Sequence, residues 1–534
     1  AGNYSTAVGM GALTAQSQSG DVDVYNTAVG YLAGKAVTTG TRNTALGGLA
    51  LDANTTASQN TAVGFSSLGA NTTGPNNAAL GYNALASNTT AANNIAMGSF
   101  SLDANTTGAQ NTGLGVYALT TNTTANDNTA VGYNALGANS TGAANTAMGR
   151  GALDANTTAN NNVAVGKDAL TANTTGGQNT AVGTLSLDAN TTGDNNVAMG
   201  YNALTANTTA DYNVAIGRQA LGGNTTGTSN VAVGAFALDA NTTGGYNVGI
   251  GDRALGANTT AGGNVGIGAD SMFANTTGAS NVALGADSLK SNTTASNNTA
   301  VGKSALAANT TGTNNVAIGA NAGDAVTTAS NNVILGYDAG GNLSTGSNNV
   351  FVGRGAGLTV TTSTFNTLLG QDCNSTSATQ SNCNGLGYGI QAQSGFTTIG
   401  ITSSDIRAQH GIAVWATVSD ERYKKDIVDS TAGLSFINAL QPRTWNYRTL
   451  GELPETFNAY EEGSTEVFKN TQTNHGFIAQ EVKAAIDADD SLKDGFRLWD
   501  DRDDGSQEVA EAALIPVLVK AIQELTARLE TLEG

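Results

Sequence analysis

The 534 residues of this chain are enough for several globular domains, yet aromatic side chains make up 5% and charged ones 12%. Most of the sequence therefore lacks the large groups that fill an isolated core and must rely on stacked backbone hydrogen bonds and chain association. A net charge of −19 argues against a nucleic-acid partner or an anionic membrane surface, the lack of an apolar run of spanning length argues against membrane insertion, and four prolines with so little charge argue against disorder.

In chain order, the first feature is a repeat. Asn26, Asn43, Asn60, Asn77 and Asn94 begin a series in steps of 17 that continues to Asn332, Asn349 and Asn366, and an earlier copy at residues 5–9 is offset by an insertion around Asp21 to Val24. The average unit is N-[TV]-A-[VILM]-G-x-x-A-L-x-A-N-T-T-[GA]-x-x, as in residues 60–76. Thr61 and Val63 fall on one strand face and Ala62 on the other, and Gly64 permits a tight turn. Leu68 is the one large apolar group of the second half. Asn71 to Gly74 is expected to form a second short strand leading into a turn.

Two strands and two turns make one coil of a β-solenoid. About 22 coils at a strand spacing of ~4.8 Å would give a rod of roughly 100 Å. Each coil buries little against the entropy of ordering 17 residues, so association is expected. Small Ala62, Ala79, Ala96, Ala130 and Ala147 are placed on the outer face, where they would let neighbouring chains pack closely. The N-[TV]-A-[VI]-G coils resemble the left-handed parallel β-roll of trimeric autotransporter adhesin heads and of many phage fibres. The resemblance implies a mainly β, trimeric shaft over residues 1–372.

The Asn-Thr-Thr sequons at Asn54, Asn71 and Asn88 match the N-glycosylation pattern, but a repeating turn with threonine ladders explains them better. Ice binding by stacked threonines is a weaker alternative. The GGxGxD pattern of calcium-binding repeats is absent, and no metal or other cofactor is expected. The residue after each strand glycine varies freely (Phe65, Tyr82, Tyr133, Arg150, Lys167, Tyr201, Arg218, Tyr337) and is read as an exposed turn, with a ligand surface as the alternative.

After Asn366 the strict period is expected to fail, with Asn384-Gly385-Leu386-Gly387 echoing it one residue late. Residues 373–418 are read as a β-rich neck in which His410 and Trp415 cap the rod. Cys373 and Cys383 are the only cysteines, either bonded or two semi-buried thiols. Ala1 opens inside a repeat, which suggests a fragment, or a chain whose attachment module lies elsewhere.

At residues 418–427, VSDERYKKDI, the composition changes: Glu421 is the first glutamate of the chain. Residues 419–534 are read as a smaller α+β domain. It has a short helix ended by Pro442, a strand over 443–448, a loop over 451–473, a helix opened by His475, and a final coiled-coil helix. In that last helix Ile515, Leu518, Ile522, Leu525, Leu529 and Leu532 form a heptad seam.

Four ordered motifs carry a second resemblance: Ser419-Asp420-x-Arg422-x-Lys424; Leu440, Pro442, Trp445 and Tyr447; the run from His475 to Val482; and LIPVLVKAIQEL. Together they resemble the intramolecular chaperone of phage tailspikes and tail fibres, the endosialidase-type or peptidase S74 family. The resemblance implies trimerisation, templated folding of the preceding fibre, and release by a cut between Val418 and Ser419. Ser419 would be the nucleophile and Lys424 its base, with Lys425 as competitor; a lysine serves when it is neutral. Asp420 would order the turn, and His475 would line the site or help hold the oxyanion.

The expected function is a homotrimeric phage tail fibre or spike shaft in the virion that meets a polysaccharide or protein receptor on the host surface. The alternative is a bacterial cell-surface adhesin with the same chaperone. A polysaccharide-cleaving enzyme is disfavoured because the array offers no carboxylate pair set apart from its repeat.

Overall fold

The computed structural model describes residues 4–17, 23–402, 404–412, 415–417, 419, 421–490, 492, 496, 498–501 and 505–533. They divide into two compact units, Ala1–Val418 and Ser419–Gly534.

The first unit is a β-solenoid. Strands β1 (Thr6–Val8) to β22 (Thr367–Leu369) are three residues each and stack in parallel, with identical positions facing one another, as in Thr61↔Ala78, Ala62↔Ala79 and Val63↔Leu80. The spacing is 17 throughout except at the first step, where Thr6 faces Thr27 across the insertion. Each strand stops at a glycine. Gly64 has φ of +130°, and a Cβ there would lie 2.4 Å from the carbonyl oxygen of Gly81 in the next coil, so both conformation and contact demand glycine.

The expected second strand is absent. Asn71 donates from Nδ2 to the Gly74 carbonyl at 3.0 Å, and this side-chain bond fastens a turn where a strand would need a ladder. Coil-to-coil bonding continues through the threonines, since the Thr72 hydroxyl donates to the Thr89 carbonyl at 3.0 Å.

The strand faces are reversed from expectation. Ala62 is fully buried, and Thr61 and Val63 point outward. The interior is too narrow for more, because Leu68 and two asparagines share it. Where the alanine position enlarges to Ile334, Phe351 and Leu368, the leucine position shrinks to Gly323, Gly340 and Gly357, and a Cβ on Gly357 would come 2.6 Å from the Phe351 ring.

Two buried asparagine ladders complete the interior. The anchor Oδ1 accepts the next anchor's backbone N–H (Asn77 to Asn60, 2.9 Å), and its Nδ2 donates to a carbonyl 14 residues on (Asn77 to Ala91, 2.9 Å). In the second ladder, Asn88 Nδ2 donates to Asn71 Oδ1 at 2.9 Å. Each such bond contributes about 1 kcal/mol net, and a buried amide left without one costs about 1–3 kcal/mol.

The period does not fail after Asn366. Thr367 faces Asn384, so β24 (Asn384–Tyr388) adds a twenty-third coil, with Cys383 at the anchor position and Asn384 as its first strand residue. Between the preceding coil and this one, β23 (Asn374–Ser375) pairs with β25 (Gln391–Ala392). A shortened step of 13 residues places Asn384 against Thr397 of β26 (Phe396–Ile401). Then β27 (Ser404–Gln409) and β28 (Trp415–Thr417) turn the sheet antiparallel. His410 Nε2 lies 3.3 Å from both Asn384 and Thr397 side chains; the Trp415 side chain falls outside the described residues.

The second unit is built from α1 (Leu434–Ala439), β29 (Arg443–Trp445), β30 (Asn474–Gly476), α2 (Ala479–Asp487), β31 (Trp499–Asp501), β32 (Gln507–Val509) and α3 (Leu514–Glu533). Phe436, Val482, Ile486, Leu498, Leu514 and Val517 form its core. His475 does not open a helix: it lies in β30 opposite Thr444, and α2 starts at Ala479.

Candidate active site

Ser419 opens the second unit, and a single 3-10 turn, Glu421–Tyr423, folds the chain back over it. The Lys424 N–H donates to the Glu421 carbonyl at 2.9 Å, which fixes the lysine at the end of that turn. Its Nζ then donates to Ser419 Oγ at 2.8 Å. A five-residue spacing thus becomes a direct hydroxyl–amine contact, the geometry a serine nucleophile and its base require. Both residues are exposed in the single chain.

The other candidates are placed differently. Val418 and Asp420 lie outside the described residues. Lys425 is exposed and, among the described residues, makes no hydrogen bond to Ser419. His475 is held in β30 and makes none to Ser419 or Lys424 among those residues.

Around this strand pair Arg443 grips Glu481 with two bonds, Nε to Oε2 at 2.9 Å and Nη2 to Oε1 at 2.7 Å, and the guanidinium holds the Glu481 carboxyl below its ordinary range. A contact the sequence did not signal is Glu524, whose Oε2 accepts the Leu434 N–H at 3.0 Å and so ties α3 to the start of α1.

The side candidates resolve on geometry. The sequon asparagines are fully buried, which closes them to glycosylation in the folded coil. Cys373 and Cys383 are free and buried, and burial pushes both thiols up to about 11. Among the described residues no helix is long and apolar enough to cross a membrane.

A family model, the chaperone of endosialidase, matches residues 419–490, beginning at the serine that carries the contact. A segment similar to that chaperone therefore follows a long β-solenoid. Comparison with curated proteins and with solved structures yields no match.

Proposed function

We propose that the chain is the shaft of a homotrimeric fibre for host-surface attachment, a phage tail fibre or spike, and that its C-terminal unit sets the register of three chains and then cuts itself off between Val418 and Ser419. The observation that carries this reading is the 2.8 Å contact from Lys424 to Ser419, placed where the solenoid unit ends and the chaperone match begins.

Exposed apolar ranks support association in both units. Outward strand positions present Leu46, Leu80, Met97, Met148, Met199 and Ile318, one per coil along the shaft. On α3, Leu514, Val517 and Ala521 are buried against the unit's own core, whereas Ile515, Ile522, Leu525, Leu529 and Leu532 are exposed. A helix with a second, open heptad seam calls for copies of itself.

In the cut, Ser419 Oγ attacks the Val418 carbonyl carbon, the C–N bond breaks as the C–O ester forms, and the hydroxyl proton passes through Lys424 to the released amine. Water then hydrolyses the ester and leaves Ser419 as a new N-terminus. An exposed lysine is a cation; burial by neighbouring chains disfavours the charge and frees the amine to act as base. Cutting therefore waits for assembly.

Mass spectrometry and sedimentation of the wild type beside Ser419→Ala and Lys424→Met test this. The expected result is a trimer cut after Val418 in the wild type and uncut trimers in both variants. An uncut wild-type trimer removes the protease, and a wild-type monomer removes the fibre.

A further inference from the structure

The varied corner after each strand holds one run that the solenoid does not require. Phe65, Tyr82, Phe100, Tyr117 and Tyr133 follow one another on successive coils with ring centroids 5.7, 5.3, 5.4 and 6.0 Å apart. Phe65, Tyr82 and Tyr133 take the first corner position and Phe100 and Tyr117 the next; elsewhere the first carries Arg150, Lys167, Thr184, Ala235 or Asp252 and the second Asn134, Asp168, Leu185 or Gln219, so the fold requires a ring at neither. Phe65, Tyr82 and Tyr133 are each about half exposed, at 49%, 48% and 54%, and a contiguous exposed aromatic patch marks an interaction surface.

The ring orientations alternate. Phe65 and Tyr82 are parallel within 12°, Phe100 and Tyr117 within 11°, while Tyr82 and Phe100 meet at 68°. The first four rings therefore form two parallel pairs that meet edge to face rather than one uniform stack. Ser66, Asn83 and Ser99 sit beside the rings, half-buried, and no Lys or Arg occurs between Arg42 and Arg150.

We propose that this ladder is a binding site for an extended neutral polysaccharide. Sugar rings present C–H faces that pack on aromatic rings and hydroxyls that bond to neighbouring serine and asparagine. The coil-to-coil advance of ~4.8 Å offers one ring for each successive sugar of a linear chain. The absence of basic groups disfavours acidic glycans, phosphates and nucleic acid. The inference rests on the attachment reading and names its ligand class; the ladder binds without cleaving.

The full-length protein is titrated calorimetrically with cellohexaose, xylohexaose, mannohexaose and chitohexaose, alongside Tyr82→Ala/Tyr117→Ala, Tyr82→Trp and Tyr201→Ala, an isolated exposed tyrosine at the same corner. The expected result is binding of at least one hexasaccharide, weakened about tenfold or more, that is ≥ ~1.4 kcal/mol, only in the double variant, with all melting curves alike. Equal binding by the double variant, no binding by the wild type, or protection of the ladder tyrosines from nitration in the assembled, sugar-free protein would each overturn it. Adsorption of the wild-type protein to host cells despite any of these results leaves the attachment reading standing, and absent adsorption removes that reading too.

Discussion

The shaft and the C-terminal unit are each closed inside and open outside, but they differ in whether a position has an address. In the shaft, Ala62 faces Ala79 and Ala79 faces Ala96, and the same asparagine bonds recur every 17 residues. Two chains shifted by one coil meet almost the same surface, so the shaft cannot choose its register. The C-terminal unit has a mixed core of Phe436, Leu440, Val482 and Leu498 and a single seam on α3. Polar ladders give length; in the proposed trimer, alignment falls to the non-repeating domain.

The largest test of this division is Ile522→Glu. Ile522 is 60% exposed and its neighbours Val517 and Ala521 hold the core, so the unit should stay folded by circular dichroism while sedimentation shows monomers and mass spectrometry an uncut chain. Trimers that persist unchanged would move the alignment step away from α3.

A smaller test lies inside the shaft. Asn213 Oδ1 accepts from the Asn230 N–H at 3.0 Å and its Nδ2 donates to the Gly227 carbonyl at 2.9 Å. Asn213→Leu strands the Asn230 N–H, while the Gly227 carbonyl keeps its bond from Asn224 Nδ2 at 2.9 Å; it also overfills the coil, and should lower stability by about 3 kcal/mol in guanidinium unfolding. At the end of the second ladder Asn309 Oδ1 has no partner, because Val326 replaces the next asparagine. Asn309 Nδ2 still donates to Asn292 Oδ1 and the Gly312 carbonyl, each at 3.0 Å, and Asn298 Nδ2 also bonds that carbonyl, so Asn309→Val strands only one side-chain oxygen and should cost less than Asn213→Leu. Equal losses would mean that the anchor's bond to the next backbone N–H adds nothing beyond a side-chain amide pair.

The 17-residue period, the strand glycines and the composition break at Glu421 were readable because each depends on local chemistry repeated or interrupted along the chain. Which strand face is interior was not. Alternation separates Ala62 from Thr61 and Val63 but does not say which side is narrow; that is decided by the space the asparagine amides occupy. The signal was present where Gly34 pairs with Val37 and Gly323 with Val326: the leucine and the second asparagine of those coils change together, as only interior neighbours need to. Asn384 misled because it sits one place past Cys383, the true successor of Asn366. At the candidate site, the Ser419 to Lys424 contact follows from one turn of backbone, whereas the cover that the proposed assembly would give this exposed pair depends on geometry between chains, which a single sequence does not describe.

Acid should separate the two regions by the smallest but most diagnostic margin, because their perturbed carboxylates shift in opposite directions. Half-buried Asp239 is raised by burial, against hydrogen bonds from its own and the Ala240 backbone; Asp154 and Asp324 are likewise raised by burial. Their folded forms hold the proton more tightly than the unfolded chain does. The stability they add is full below the ordinary aspartate range and is lost as pH rises through the folded values. Glu481 is lowered by Arg443 and Glu452 by the Thr449 backbone and hydroxyl, so their contribution is present above the ordinary glutamate range and is lost as pH falls. On acidification the shaft should gain slightly while the C-terminal unit weakens, the latter followed through Trp445 and Trp499 fluorescence. Asp239→Asn removes one ionisable group from the shaft. It should raise shaft stability at neutral pH by a few tenths of a kcal/mol, discounted for its partial exposure, and flatten the acid response; a loss at neutral pH would mean that the two backbone bonds outweigh burial.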